Sequence, residues 1–183
     1  LINGLSIPNR IPQIEVAIGD VGVALVLRHL DAFSLADLEA LVAFQVQTSI
    51  GIYLQPDGED SVHPLNSETT KLSYTVDGIT IDFNPTDFTQ VNGEMNRRMI
   101  DLVIEKLEID GDDRVADLFC GLGNFSLPIA ARAKSVMGAE GSVDLIKRAR
   151  ENAVRNSFGN ASFVHADLAQ SSGLAKLDMT GIT

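Results

Sequence analysis

The sequence predicts an α/β fold in which a doubly wound parallel sheet follows a small α+β unit. Three observations predict it. From residue 114 onward, short apolar runs alternate three times with helical patterns, the rhythm of parallel strands joined by crossover helices. Before residue 84 the apolar runs are broken by Gly and Asp turn residues around one helical stripe, as in a small mixed sheet. Between them, from about residue 92, runs one long helical pattern. The boundary is therefore placed at residue 83, with a small α+β unit over 1–83 and the sheet-bearing domain over 84–183.

Residues 14–18 and 23–30 are β-branched runs parted by Gly19, Asp20 and Gly22, predicting two strands with a tight connection. Ser34 then precedes Leu35, Leu38, Leu41, Val42 and Phe44, an amphipathic spacing, and Asp37 falls in the first turn where negative charge suits the helix dipole. Residues 50–54 read as a strand that stops at Gln55-Pro56-Asp57-Gly58. Residues 72–83 read as a hairpin about Asp77-Gly78, a pair that tolerates the positive φ of a type I′ turn. Asn92 is placed to cap a helix whose stripe is Met95, Met99, Leu102, Val103 and Leu107. Strands are predicted at 114–119, 135–139 and 161–164, followed by helices at 125–131, 143–155 and 168–177. Only three such repeats fit, against the roughly five or more strands of a complete doubly wound sheet, so the sheet is expected to be truncated. A chain opening on Leu1 reads as part of a longer one.

Composition narrows the function. Of 183 residues, 45% are hydrophobic and 21% charged, which excludes disordered and collagen-like chains. Cys120, the single cysteine, excludes an internal disulfide or a cysteine-rich metal cage within these residues and fits a reducing, cytoplasmic setting. His29, His63 and His165 share no metal-ligand spacing. No apolar run reaches the roughly 18 residues of a membrane span, so no membrane partner is expected. The net charge is -11, with three basic against ten acidic residues over 1–80 and eleven against fifteen over 81–183. A protein that grips nucleic acid mainly through its own basic surface is disfavoured. Lys147, Arg148, Arg150 and Arg155 share one predicted helix, where a solvated face is the plainer reading than a phosphate contact.

The strongest motif is residues 117–125, Asp-Leu-Phe-Cys-Gly-Leu-Gly-Asn-Phe, a strand running into a glycine turn that opens a helix. Gly121 and Gly123 permit a tight turn and close approach of a ligand to the backbone. Glu140 ends the next predicted strand, where a carboxylate can accept both hydroxyls of a ribose, and Asp167 ends the third, within reach of an adenine amino group. A dinucleotide site wants a third glycine where this chain has Ser126, and the acidic Asp117 suits a cationic ligand. S-adenosylmethionine, a nucleoside with a sulfonium centre, is therefore favoured over a nicotinamide cofactor.

Residues 117–130, together with Asp87-Phe88-Thr89-Gln90-Val91-Asn92, resemble the S-adenosylmethionine-dependent RNA uracil-C5 methyltransferases, most closely those of the bacterial 23S ribosomal RNA type. Arg28-His29-Leu30 and Tyr53-Leu54-Gln55-Pro56 are also similar, so the resemblance covers nearly the whole chain. It implies a Rossmann-like class I methyltransferase domain, truncated, with 1–83 as an insertion unit, and S-adenosyl-L-methionine contacts from Gln90, Phe119, Asn124, Glu140 and Asp167, beside Asp117, Gly121 and Gly123 read from the turn itself. It implies formation of 5-methyluridine in 23S ribosomal RNA. Members of the family are understood to add a cysteine thiolate to carbon 6 of uracil, so that carbon 5 can attack the methyl group, and to remove the carbon 5 proton with a base. Cys120 matches the glycine-loop position and not that nucleophile; the nucleophile and base are expected beyond Thr183, and the family's iron-sulfur cluster segment and RNA-binding barrel before Leu1. A monomer is expected. A transfer RNA or other uridine-C5 methyltransferase, or a noncatalytic adenosyl-binding module, are the alternatives. On the residues alone, Asp167 and Asn92 also read as caps, and Phe119 as core.

Overall fold

A computed structural model describes residues 1–183 and divides them into two compact units, Leu1–Tyr74 with Asn84–Asp87, and Thr75–Phe83 with Phe88–Thr183. The sequence boundary at 83 assigned the hairpin of residues 72–83 to the first unit; by compactness, its turn and return strand group with the second.

In the first unit, β1 (Gln13–Ile18) and β2 (Val23–Arg28) form an antiparallel pair, and α1 (Leu35–Thr48) carries the chain to β3 (Gly51–Gln55), which lies parallel to β2. The short β4 (His63–Pro64) closes the sheet in the order β1-β2-β3-β4. Gly22, at φ +83, passes so close to Lys71 that a Cβ would run into its carbonyl, so the tight connection requires glycine. The core is Leu5, Leu27, Leu41, Ile52 and Leu54. Fully buried side chains of this size contribute roughly 1.5–3 kcal/mol each. Ser34 and Asp37 form a capping box at the start of α1, and Ser49, at φ 60, ends the helix.

In the second unit, β5 (Leu72–Val76), which begins in the first, turns through Asp77 (φ 50) and Gly78 (φ 78) into β6 (Ile79–Phe83), the predicted type I′ geometry. Helix α2 (Gly93–Lys106) follows, its first turn capped by the Asn92 side chain accepting from the Met95 amide. Then β7 (Arg114–Leu118), α3 (Ser126–Ala130), β8 (Ser135–Glu140), α4 (Val143–Arg155), β9 (Ala161–His165) and the one-turn α5 (Ser171–Leu174) alternate. The three strands form a parallel sheet in the order β7-β8-β9. Leu127, Val136, Ala139, Ile146, Ala149 and Phe163 fill its faces. Gly138 lies under the Phe163 ring and Cys120 Sγ, where a Cβ would sit within 2.9 Å of both.

Three sequence expectations are corrected. The buried row of α1 is Asp37, Leu41 and Gln45, while Leu35 is exposed; that of α2 is Asn96, Ile100 and Ile104, while Met95, Leu102 and Leu107 are exposed. In both helices a polar residue takes a core position because it bonds across the chain: Gln45 Oε1 accepts from the Ile52 amide at 3.1 Å, and Asn96 meets Asn124. The helix predicted over 168–177 shrinks to one turn at Ser171–Leu174, because Asp167 Oδ1 accepts from the Ala169 amide at 3.0 Å and turns the chain first.

Helix α4 holds β6 by an unusual route. Asn152 and Asn156, one turn apart, each pair with a strand backbone: Asn156 with Thr80 N and O at 3.0 and 2.7 Å, Asn152 with Asp82 N and O at 2.9 and 3.1 Å. Two carboxamides thus stand in for a neighbouring strand. Arg155 adds an ion pair to Asp82 at 2.9 Å, and Arg150 donates to the Phe163 carbonyl at 2.6 Å, so both of these basic residues are engaged within the fold. No helix is long and apolar enough to cross a membrane.

Candidate functional site

Parallel pairing aligns the carboxyl ends of β7, β8 and β9, with Asp117 beside Gly138 and Glu140 beside His165. Asp117 is the penultimate residue of β7, Glu140 is the last of β8, and Asp167 lies two residues past β9. Three carboxylates therefore occupy successive ends at the edge where open α/β sheets bind ligands.

The turn after β7 uses three positive φ values, 65° at Phe119, 53° at Gly121 and 90° at Gly123. Glycine adopts them freely; Phe119 does so at roughly 1 kcal/mol or more, and it displays a ring that is 71% exposed. The Cys120 amide still reaches the Ala139 carbonyl at 3.0 Å, and the Gly123 amide closes the turn on the Cys120 carbonyl at 2.9 Å. Open space adjoins Gly121 where a side chain would project.

Glu140 is held by backbone amides. Its Oε1 accepts from Gly141 at 2.7 Å and Ser142 at 3.1 Å, and its Oε2 accepts from Gly121 at 3.3 Å. Each carboxylate oxygen can accept two bonds, so Oε2 keeps capacity for a ligand hydroxyl. Asp117 Oδ2 accepts from the fully buried Ser126 hydroxyl at 2.6 Å. Burial pushes the Asp117 carboxyl up, against the lowering effect of Ser126 and with a further upward push from the Glu140 charge. Ser126 thus explains the missing third glycine: at that position its hydroxyl positions a carboxylate.

Cys120 is buried, and burial, reinforced by the charges of Asp117 and Glu140, pushes its thiol up to about 12. It is protonated at neutral pH and is no nucleophile. Asn124 makes a reciprocal pair with Asn96, each carboxamide donating to the other at 2.8 Å. Gln90, Phe119 and Asp167 are exposed and lie outside this hydrogen-bonded group. Gln90 stands two residues before the Asn92 cap of α2.

Sequence reasoning missed Asn96 and Asn152, and saw Ser126 only as the absent third glycine. Asn152 Nδ2, besides its bond to β6, donates to the Leu122 carbonyl in the glycine turn at 3.3 Å. The available signal was a polar residue on an otherwise apolar helical row: Asn96 at i, i+4 spacing with Ile100 and Ile104, and Asn152 at i, i+3 spacing with Ile146 and Ala149.

The family described as tRNA (Uracil-5-)-methyltransferase matches residues 36–172. A 23S rRNA (uracil(1939)-C(5))-methyltransferase RlmD of Alkalilimnicola ehrlichii is 47% identical over 92% of this chain and 38% of its own length. That of Hahella chejuensis is 48% identical over 92% and 39%. The chain thus spans about two fifths of the length of these relatives. Among solved structures, the Pyrococcus abyssi tRNA (uracil-54, C5)-methyltransferase in complex with S-adenosyl-L-homocysteine superposes with a TM-score of 0.63 at 19% identity, over 83% of this chain and 38% of that one. The M. jannaschii tRNA m1G37 methyltransferase gives 0.55 at 17% identity, over 92% and 50%. These two likenesses show the fold, a Rossmann-like class I methyltransferase fold of which three strands are present here. With three quarters of its residues inside the family match, the chain belongs to the tRNA (Uracil-5-)-methyltransferase family.

Proposed function

We propose that this chain supplies the S-adenosyl-L-methionine site of a cytoplasmic methyltransferase that forms 5-methyluridine in 23S ribosomal RNA. The observation that carries the reading is Glu140, whose carboxylate is anchored by three backbone amides, one of them that of Gly121 in the glycine turn. The donor set fits a nucleoside: a fixed carboxylate for vicinal hydroxyls, a glycine turn open to a ligand, and an acidic residue, Asp117, for a cationic centre. Glu140, Gly121 and Gly123 would hold the ribose side, Asp117 and Asn124 the amino acid side, and Asp167 the adenine, with Phe119 and Gln90 bordering the site. When bound, S-adenosylmethionine supplies an electrophilic methyl group. This chain's own residues bind and orient it, and the neutral, buried Cys120 does not compete as a nucleophile for that methyl. A lone buried cysteine offers no ligand set for an iron-sulfur cluster within these residues.

The 23S reading rests on the similarity to the RlmD relatives, which is much higher than to the transfer RNA enzyme. Calorimetric titration of S-adenosylmethionine into the full-length protein tests the site: Glu140→Ala is expected to weaken binding by tens of fold, since a hydrogen bond to a charged group is worth about 1.5–3 kcal/mol. Unchanged affinity would remove the basis for the assignment. Methylation of 23S against transfer RNA transcripts tests the substrate.

A further inference from the structure

The Asn96–Asn124 pair is a different kind of contact from the rest of the site. Asn96 is 1% exposed and stands on the face of α2 otherwise made of Ile100 and Ile104. Burying an amide there is unfavourable unless its polar atoms are matched, and an aliphatic residue would pack the same face without that demand. Both polar atoms of Asn96 are matched by one residue, Asn124, twenty-eight positions away in the glycine turn. The pair is symmetric: each oxygen accepts and each nitrogen donates, both at 2.8 Å, so neither carboxamide can rotate without breaking two bonds at once.

Asn96 also sits one turn after the cap of α2, with its own amide bonded to the Asn92 carbonyl at 2.9 Å. The loop carrying Gln90 ends at that cap. A single buried amide therefore joins the segment holding Gln90 to the turn holding Asn124.

We propose that Asn96 is a positioning residue for the cofactor: it fixes the Asn124 carboxamide and docks the start of α2 against the glycine turn, so that both segments meet a ligand already arranged. Pre-arrangement of this kind contributes affinity by removing the ordering that binding would otherwise require. The inference rests on the assignment of Asn124 to the cofactor site.

The test is S-adenosylmethionine affinity, measured by calorimetry on the full-length protein with thermal midpoints recorded for every variant. Asn96→Ala and Asn124→Ala are each expected to weaken binding roughly tenfold, and the double variant no further than Asn124→Ala, because Asn96 acts through its partner. Asn96→Leu, which keeps the α2 face apolar and packed, is expected to lose the same affinity and guards against a fold defect in the alanine variant. Asn156→Ala is the stability control: it removes both bonds to Thr80, lowers the midpoint, and leaves affinity unchanged. Wild-type affinity in Asn96→Leu together with a loss in Asn124→Ala would overturn the positioning role while leaving the site intact. Additive losses in the double variant would overturn it too, by showing that Asn96 acts independently. Normal binding by Asn124→Ala would instead strike at the site assignment beneath it.

Discussion

In the first unit β2 and β3 pair in parallel across α1; in the second, β7 and β8 pair in parallel across α3. The two connections differ in what they do with a carboxylate. Asp37, in the first turn of α1, accepts from the amides and hydroxyls of both Ser6 and Ser34, and those bonds hold its carboxyl well below the usual range. Asp117, before the glycine turn, has one hydroxyl partner, and burial drives its carboxyl the other way. One carboxylate is satisfied by its own unit and ties two segments together. The other is kept where its charge is under strain, as groups at functional sites often are. The same supersecondary motif is a scaffold in one place and a candidate site in the other.

The largest expected effect breaks the scaffold. Leu41 is fully buried against Leu27 and Ile52, and Leu41→Ala should cost about 2–5 kcal/mol in urea unfolding of the first unit. Next in size is Glu140→Ala, with its tens-of-fold loss of cofactor affinity; the matched change Asp37→Ala should lower the melting midpoint by several degrees and leave affinity alone. If Asp37→Ala weakened binding as strongly as Glu140→Ala, the distinction between scaffold and site would collapse.

A pH series separates the two carboxylates by sign. Asp37 is depressed in the folded chain, so its stabilisation is present above the unfolded value of about 4 and is lost as pH falls through the folded one. Asp117 is raised, so its favourable contribution is present below about pH 4 and is lost as pH rises through its folded value. Asp37→Asn should therefore be less stable than the parent at pH 7, with the gap closing on acidification. Asp117→Asn, whose amide oxygen can still accept from Ser126, should be more stable than the parent at pH 7, with that gain shrinking toward pH 4. Chemical denaturation followed from pH 7 through pH 4 down to about pH 2 reads both differences, and equal signs at pH 7 would contradict the assignment.

Local signals explain what the sequence made legible. Ser34 with Asp37, Asp77-Gly78 and Asn92 each act within four residues, and each cap or turn forms as expected. The strands fall within a residue or two of their predicted ends for the same reason. The faces of α1 and α2 were misread because a count of apolar residues penalises the very positions, Asp37, Gln45 and Asn96, that bury a polar group against a distant partner. Asp117, Glu140 and the glycines could be read from spacing along the chain. Their supports could not, since Ser126 gains its role from a residue nine positions back and Asn96 from one twenty-eight ahead.

The smallest functional effect is expected at Cys120, although it lies inside the glycine turn. Its sulfur packs against Gly138 and is 3.8 Å from the Gly121 carbonyl, so it fills space in the core side of the turn. Cys120→Ala should cost about 1 kcal/mol of stability and leave S-adenosylmethionine affinity within about twofold. The thiol itself reports the electrostatics of the site. With a value near 12, about one molecule in ten thousand carries a thiolate at pH 8, against about a quarter for an unperturbed cysteine. Alkylation by iodoacetamide at pH 8 should therefore run on the order of a thousandfold slower in the folded chain than in urea. Asp117→Asn removes one of the two charges that reinforce burial in keeping the thiol neutral, so the folded-state rate should rise modestly in that variant and stay low in Asp37→Asn. A fast reaction in the folded parent would mean that the turn is open around Cys120, and the buried Asp117–Ser126 arrangement beside it would fall with that.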